Sequence, residues 1–334
     1  MWETVFEDVL DLASLPWFDI DDGRLVLDPA CGPVIDVHTH LALSYLVPPN
    51  VDLERETGEV DTYLPAKGRR VDLEVYANRN MSVEDRRVMA QDLVLGSFVR
   101  HGPRQTHTAA NLLRQMSDLR IARAVIHAID LPVISRNAEI YIDVCRAHPE
   151  LAPFGSAHPA TPFPGVRIDR LARLGARGIK IHPSDQAMSP DNRLMWRVYR
   201  ACERNGLPVL YHCGPVGIEP DFVRDFSLVR KYEKPVACFP GVTFFLGHSG
   251  ALQFREAIDL ARRYPNVVLD LSCQGLEGIR AILETVDHDR IVHGSDWPFY
   301  HPGPAIAKVL IATDGDLALR RRVLHDTAVR LLGL

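Results

Sequence analysis

Val34-Ile35-Asp36-Val37-His38-Thr39-His40 is the stretch on which the reading of this chain turns. The apolar run after Gly32-Pro33 reads as a buried strand, and it ends on two histidines spaced i, i+2. Side chains alternate along a strand, so His38 and His40 share one side and are placed to grip one ion together.

Working outward from this strand, the next convincing one does not come until residues 124–129. That gap is too long for one crossover helix, so residues 44–110 read as a lid-like insertion. Within it, 50–67 is polar and irregular and 83–100 has helical apolar spacing, while 108–119 supplies a helix leading to the second strand. Because the insertion follows the strand that carries His38 and His40, its Tyr63, Arg69, Arg70, His101, Arg104 and His107 are candidate substrate contacts. Any one of them alone reads more simply as part of a solvated lid surface.

From residue 124 the pattern becomes regular. Strands at 124–129, 151–157, 178–182, 208–212, 242–248, 267–271 and 291–295 alternate with helices at 137–148, 166–174, 191–205, 252–264 and 276–285, and helices at 304–311 and 316–332 close the chain. Counted from Val34 this makes eight strands, the signature of an α/β protein of the (β/α)8 TIM-barrel type over residues 34–334. An open doubly wound sheet is the alternative, and no Gly-rich phosphate fingerprint follows an early strand to support it. Residues 1–33 read as an appendage, with a short amphipathic helix near 3–15 and an extended piece at 24–28.

Composition narrows the partners. With 46% hydrophobic and 24% charged residues the balance is that of an ordinary globular protein. The net charge of −5, with no dense basic block, argues against nucleic acid. Six scattered cysteines without a C-x-x-C pair suit a reducing cytoplasm. The acidic first residues are unlike a signal peptide, and no apolar stretch is long enough to span a bilayer. A small-molecule substrate is the expected partner, and formation of a homo-oligomer is left open.

The polar residues fall at strand ends: His38 and His40 on the first strand, His182 on the fourth, His212 on the fifth, His248 on the sixth, Asp296 after the eighth. Any one of these histidines alone reads more simply as a hydrogen-bonded core residue. The whole set, at equivalent points of a repeating pattern, points to the mouth of a barrel. His293 lies three residues from Asp296 and should face the helices, while His127, His158 and His301 read as structural or as supports. Imidazoles with a carboxylate suit a divalent ion, zinc above all, with one position open for water. Such an ion lowers the pKa of bound water and polarises a carbonyl, and a nearby His or Asp moves the proton.

Together, Asp36-Val37-His38-Thr39-His40, Gly178-Ile179-Lys180-Ile181-His182-Pro183, His212 after its apolar strand, Leu246-Gly247-His248-Ser249-Gly250 and Gly294-Ser295-Asp296-Trp297-Pro298 resemble the amidohydrolase superfamily. The branch they resemble includes aminocarboxymuconate semialdehyde decarboxylase and related decarboxylases, hydratases and hydrolases. The resemblance runs from about Pro33 to the end of the chain, excluding the insertion, and departs from the family only where Asp326 stands in place of a more usual Asn. It implies that His38, His40, His212 and Asp296 bind the metal, that His248 orients or deprotonates a metal-bound water, and that Asp296 shuttles the proton. Lys180 shares strand parity with His182; in two-metal relatives a lysine on this strand is carboxylated to bridge the ions, and otherwise Lys180 and His182 line the pocket. One ion is the preferred reading and two the alternative. The expected reaction is hydrolysis of an amide, ester or lactone of a small carboxylated molecule; a zinc-dependent decarboxylase or other lyase is the alternative, and a non-catalytic metal- or ligand-binding barrel the third. Arginines of the lid, Arg69, Arg70 or Arg104, would hold a substrate carboxylate.

Overall fold

The computed structural model describes residues 2–45, 50–132 and 134–334. Three short strands open the chain: β1 (Val5–Phe6), β2 (Phe18–Asp21) and β3 (Arg24–Leu27). They are followed by β4 (Val34–Thr39), β5 (Val71–Asp72), β6 (Ile121–His127), β7 (Leu151–Ser156), β8 (Gly178–Ile181), β9 (Val209–His212), β10 (Phe244–Gly247), β11 (Val267–Asp270) and β12 (Ile291–Val292). β4 and β6 to β12 form one eight-stranded sheet whose strand order is the chain order, with helices between the strands, and the fold class is the (β/α)8 barrel. The chain divides into two compact units.

The first unit comprises Met1–Ala42, Asn50–Ala124 and Leu271–Leu334. Every residue of β4 is buried, as a strand covered on both faces requires. Inside the insertion, α1 (Val83–Leu95) starts on a capping box in which Ser82 accepts from the Asp85 amide and Asp85 accepts from the Ser82 amide. Thr108 caps α2 (Ala109–Asp118) in the same manner through the Asn111 amide. Residues 46–49 of the expected lid lie outside the described residues.

The appendage departs from expectation. Residues 3–15 form β1 and a 3-10 turn, Leu10–Ser14, where an amphipathic α-helix was expected. The Asp11 carboxylate takes the amides of Glu7 and Asp8, and Asp8 takes that of Leu10, so side chains claim the donors an α-helix needs. β1 pairs instead with β5, Val5 against Asp72, which ties the appendage to the insertion. β2 and β3 form a hairpin with Asp22 and Gly23 at positive φ.

The second unit comprises Leu43–Pro49 and Val125–Asp270. Its strands β7 to β11 are parallel and fully buried, with Lys180 opposite Leu210 and Gly247 opposite His212 in the register. The helices α3 (Asn137–Ala147), α4 (Pro164–Leu174) and α5 (Met195–Arg204) cover them, followed by α6 (Asp221–Arg224), α7 (Glu233–Cys238) and α8 (Phe254–Arg263). The first unit adds α9 (Leu276–Thr285), α10 (Pro302–Ala312), α11 (Leu317–Arg321) and α12 (Thr327–Leu332). α5 starts four residues later than its apolar spacing suggests, because 189–194 close into turns in which the Asn192 side chain accepts from the Leu194 amide. No helix among the described residues is long and apolar enough to cross a membrane.

Candidate metal centre

In the first unit, β4 sends Asp36, His38 and His40 to one side by strand alternation, and all three are buried. The chain after β12 runs alongside: the Val37 amide donates to the His293 carbonyl, the Asp296 amide to His38, and the His40 amide to Trp297. This backbone stitching holds Asp296 against the two rings. Its Oδ1 lies 3.7 Å from His38 Nε2 and 3.6 Å from His40 Nε2. Three ligand atoms held within 4.8 Å of one another form a group able to take a metal ion. Ligand atoms at the corners of a tetrahedron with bonds of about 2.0–2.1 Å would be about 3.3 Å apart. A contraction of a few tenths of an ångström would bring the two aspartate–imidazole distances to that size, so the donor set fits a divalent cation.

The surroundings fix these side chains. Asp36 Oδ1 accepts from the amides of His38 and Ser295, and burial pushes its carboxyl up to about 7. Ser272 Oγ lies 3.2 Å from His38 Nδ1, and the Cys273 thiol donates to Asp296 Oδ2 at 3.4 Å. Both follow β11, a place where reading the sequence assigned nothing; their only signal was adjacency to a strand end. Phe299 stands edge-on to His40 at 5.9 Å, Tyr63 packs on Phe299 at 5.2 Å, and His107 meets Tyr63 at 5.0 Å. Tyr63 donates its hydroxyl to Asp92, and His107 donates from Nε2 to the Asp61 carbonyl, its pKa held down to about 4 by burial.

The lid arginines differ sharply among themselves. Arg104 is buried and donates to Ser97 Oγ and to the carbonyls of Asp92 and Leu93, so its guanidinium serves the fold of its own unit instead of reaching a substrate. Arg69 pairs with Asp85 at 2.9 Å. Arg70 and His101 are exposed. His293 is buried, and His301 caps α10 by accepting the Gly303 amide at Nδ1.

In the second unit, His212 ends β9 and His248 follows β10 directly. His248 Nε2 is 3.1 Å from His212 Nδ1, and His182 stacks on His212 with centroids 4.1 Å apart. The loops after β9 and β10 nearly touch: a Cβ at Gly214 would lie 1.9 Å from the Gly250 carbonyl oxygen, and both glycines have φ +82°. Tyr232 donates to the His212 carbonyl and fixes the strand end. The Asp185 amide donates to His182 Nδ1, and Tyr45 donates to Asp185. Lys180 is buried in β8. His158 donates from Nε2 to the Gln186 carbonyl and accepts the Ala160 amide, which marks it as structural, while His127 stands edge-on to Phe154. The predicted residues thus form two sets, one in each unit.

A barrel sheet with histidines and an aspartate at its strand ends defines a class of metal-dependent enzymes. The family described as amidohydrolase matches residues 35–334, and the chain belongs to that family. It is an enzyme of the amidohydrolase superfamily. No curated protein matches the chain. Among solved structures it is similar to an uncharacterised TIM-barrel protein from Bordetella bronchiseptica, at 20% identity and TM-score 0.62, covering 90% of this chain and 98% of that one. It is similar to a 5-carboxyvanillate decarboxylase from Novosphingobium aromaticivorans, in complex with manganese and a nitrobenzoic acid, at 15% identity and TM-score 0.61, covering 92% and 98%. A third is a probable 2-pyrone-4,6-dicarboxylic acid hydrolase from Acinetobacter baumannii with citric acid bound, at 13% identity and TM-score 0.56, covering 71% and 93%.

Proposed function

We propose that this enzyme is a metal-dependent, non-oxidative decarboxylase of a small aromatic carboxylic acid. The observation that carries the reading is the His38–His40–Asp296 group with the rings of Phe299, Tyr63 and His107 beside it, a flank suited to a planar substrate. Hydrolysis, the first expectation from sequence, takes second place. The decarboxylase neighbour is similar over nearly all of both chains, whereas the hydrolase covers less of this one.

A divalent ion, zinc foremost, held by His38, His40 and Asp296 would supply a Lewis acid for the substrate's oxygens. One such ion is enough, and two are the alternative. Asp296 in its acid form passes a proton to the ring carbon that bears the carboxylate. The carbon–carboxyl bond then breaks, its electron pair returns to the ring, and carbon dioxide leaves. Asp296 recovers its proton from solvent, so each turnover consumes one proton. In the hydrolytic alternative His248 would instead deprotonate the attacking water. Of the lid arginines only the exposed Arg70 is kept as a candidate for the substrate's far end. None of the six cysteines, all among the described residues, forms a disulfide, which suits a reducing, cytoplasmic setting.

The test is product analysis in heavy water with zinc- and manganese-loaded protein and a panel of hydroxylated benzoates and pyrone lactones. Release of carbon dioxide with one deuterium on the carbon that lost it is the expected result. Opening of a lactone without carbon dioxide would overturn it in favour of the hydrolase.

A further inference from the structure

Immediately after β11, two consecutive side chains touch two different members of the triad. Ser272 Oγ meets His38 Nδ1 at 3.2 Å, and the Cys273 thiol reaches Asp296 Oδ2 at 3.4 Å. Both are buried. We propose that Ser272 and Cys273 are positioning residues that set the affinity of the His38–His40–Asp296 group for its ion, an inference that rests on that group being the metal site.

The chemistry of each contact is specific. His38 offers Nε2 to Asp296, so Nε2 must carry a lone pair if it is to bind a cation. That requires the proton on Nδ1, and Ser272 Oγ is the acceptor placed to hold it there. With an ion at Nε2 the hydroxyl accepts from Nδ1–H and so supports the ligating tautomer. Asp296 has two oxygens, of which Oδ1 faces both imidazoles. The Cys273 thiol occupies Oδ2, so the carboxylate presents one oxygen to the ion and is kept from rotating to offer both.

The loop that carries the pair is clamped on several sides. The Leu271 amide donates to the Val292 carbonyl, and Gln274 turns back on the Leu271 carbonyl. The Ala77 amide, from the insertion, donates to the Cys273 carbonyl at 2.8 Å. Buried Lys308 donates to the Gln274 carbonyl at 2.7 Å. A Cβ at Gly275 would lie 2.2 Å from the Glu74 carbonyl oxygen, which shows how closely the insertion approaches. Groups held this firmly present their side chains in one geometry, which a tuning role demands. The insertion thereby acts on the site through the backbone beneath Cys273, in addition to any contact with substrate.

The experiment measures zinc and cobalt(II) affinity by chelator competition on the full chain, together with the visible spectrum of the cobalt form. Variants are Ser272→Ala, Ser272→Thr, Cys273→Ala and Cys273→Ser, with His38→Ala as the reference for loss of a ligand; melting curves confirm that each is folded. Ser272→Ala and Cys273→Ala should weaken binding by about 10–100-fold while keeping the wild-type stoichiometry. Ser272→Thr, which keeps the hydroxyl, and Cys273→Ser, which replaces the thiol donor with a hydroxyl donor, should recover most of it. If wild type and His38→Ala bind the ion equally, the metal site itself is wrong and this inference falls with it. If His38→Ala loses the ion but both alanine variants bind like wild type, the positioning role alone is overturned. A sulfur-to-cobalt charge-transfer band abolished in Cys273→Ala would overturn it for Cys273, by making the thiol a ligand.

Discussion

Arg104 shows how a single residue is assigned by its partners and not by its type. Its guanidinium is spent on Ser97 Oγ and on the carbonyls of Asp92 and Leu93, and its amide donates to the Asp92 carboxylate that also accepts from Tyr63. Replacing it with methionine keeps much of the apolar stem but removes the guanidinium's hydrogen bonds to Ser97 Oγ and to the two carbonyls. Each such loss costs about 1–3 kcal/mol. We predict that Arg104→Met lowers unfolding free energy by about 3 kcal/mol in urea titrations while metal content per chain stays unchanged; loss of metal with stability intact would return Arg104 to the site. In the sequence, Arg69, Arg70 and Arg104 look alike, because nothing local says which will find acceptors. His38 and His40 were legible for the opposite reason: strand alternation is a local rule, and two residues apart on one strand means one side. Ser272 and Cys273 were not legible, since the contacts that give them meaning come from β4 and from the chain after β12.

At the scale of elements, apolar spacing located the strands of the barrel sheet within a few residues, and it failed where side chains compete for backbone donors. The opening 3–15 segment is the case in point, with Asp8 and Asp11 breaking a helix that spacing alone allows. The ends of the strands carry a second feature that spacing does not report. His248, Cys273 and Asp296 all stand at positive φ, 58°, 63° and 66°, one, three and four residues beyond the ends of β10, β11 and β12. Non-glycine residues adopt this region at a cost, and such costs concentrate at functional sites. Between the loops after β9 and β10 the constraint is steric, with Gly214 pressed on the Gly250 carbonyl. Gly214→Ala combines a Cβ clash with an unfavourable φ and should force those loops apart. The expected outcome is a stability loss above about 2 kcal/mol, read as a fall in melting temperature. An alanine variant with wild-type melting temperature would show that the loops relax to admit the Cβ.

For the whole molecule, buried titratable groups sum into a dependence of stability on pH, and in the first unit their signs oppose. Burial holds His107 and His301 down to about 4 and His293 down to about 3. In the unfolded chain all three take up protons near pH 6.5. Between about pH 6.5 and 4 the unfolded state therefore binds more protons, and stability is lost as pH falls. Asp36 works the other way: with its folded pKa raised to about 7, the folded state binds the extra proton between about pH 4 and 7, and acid stabilises it. Three histidines against one aspartate leave a net uptake approaching two protons on unfolding, a slope of at most about 2.7 kcal/mol per pH unit. We predict that the urea midpoint of the metal-free protein falls steadily from pH 6.5 to 4. His107→Asn removes one titrating group while keeping a donor for the Asp61 carbonyl, and should flatten the slope by about 1.4 kcal/mol per pH unit. Asp36→Asn removes the opposing group and should steepen it by a similar amount. Equal slopes in wild type and both variants would mean that these groups keep their solution pKa values in the folded protein, and that its acid sensitivity arises elsewhere.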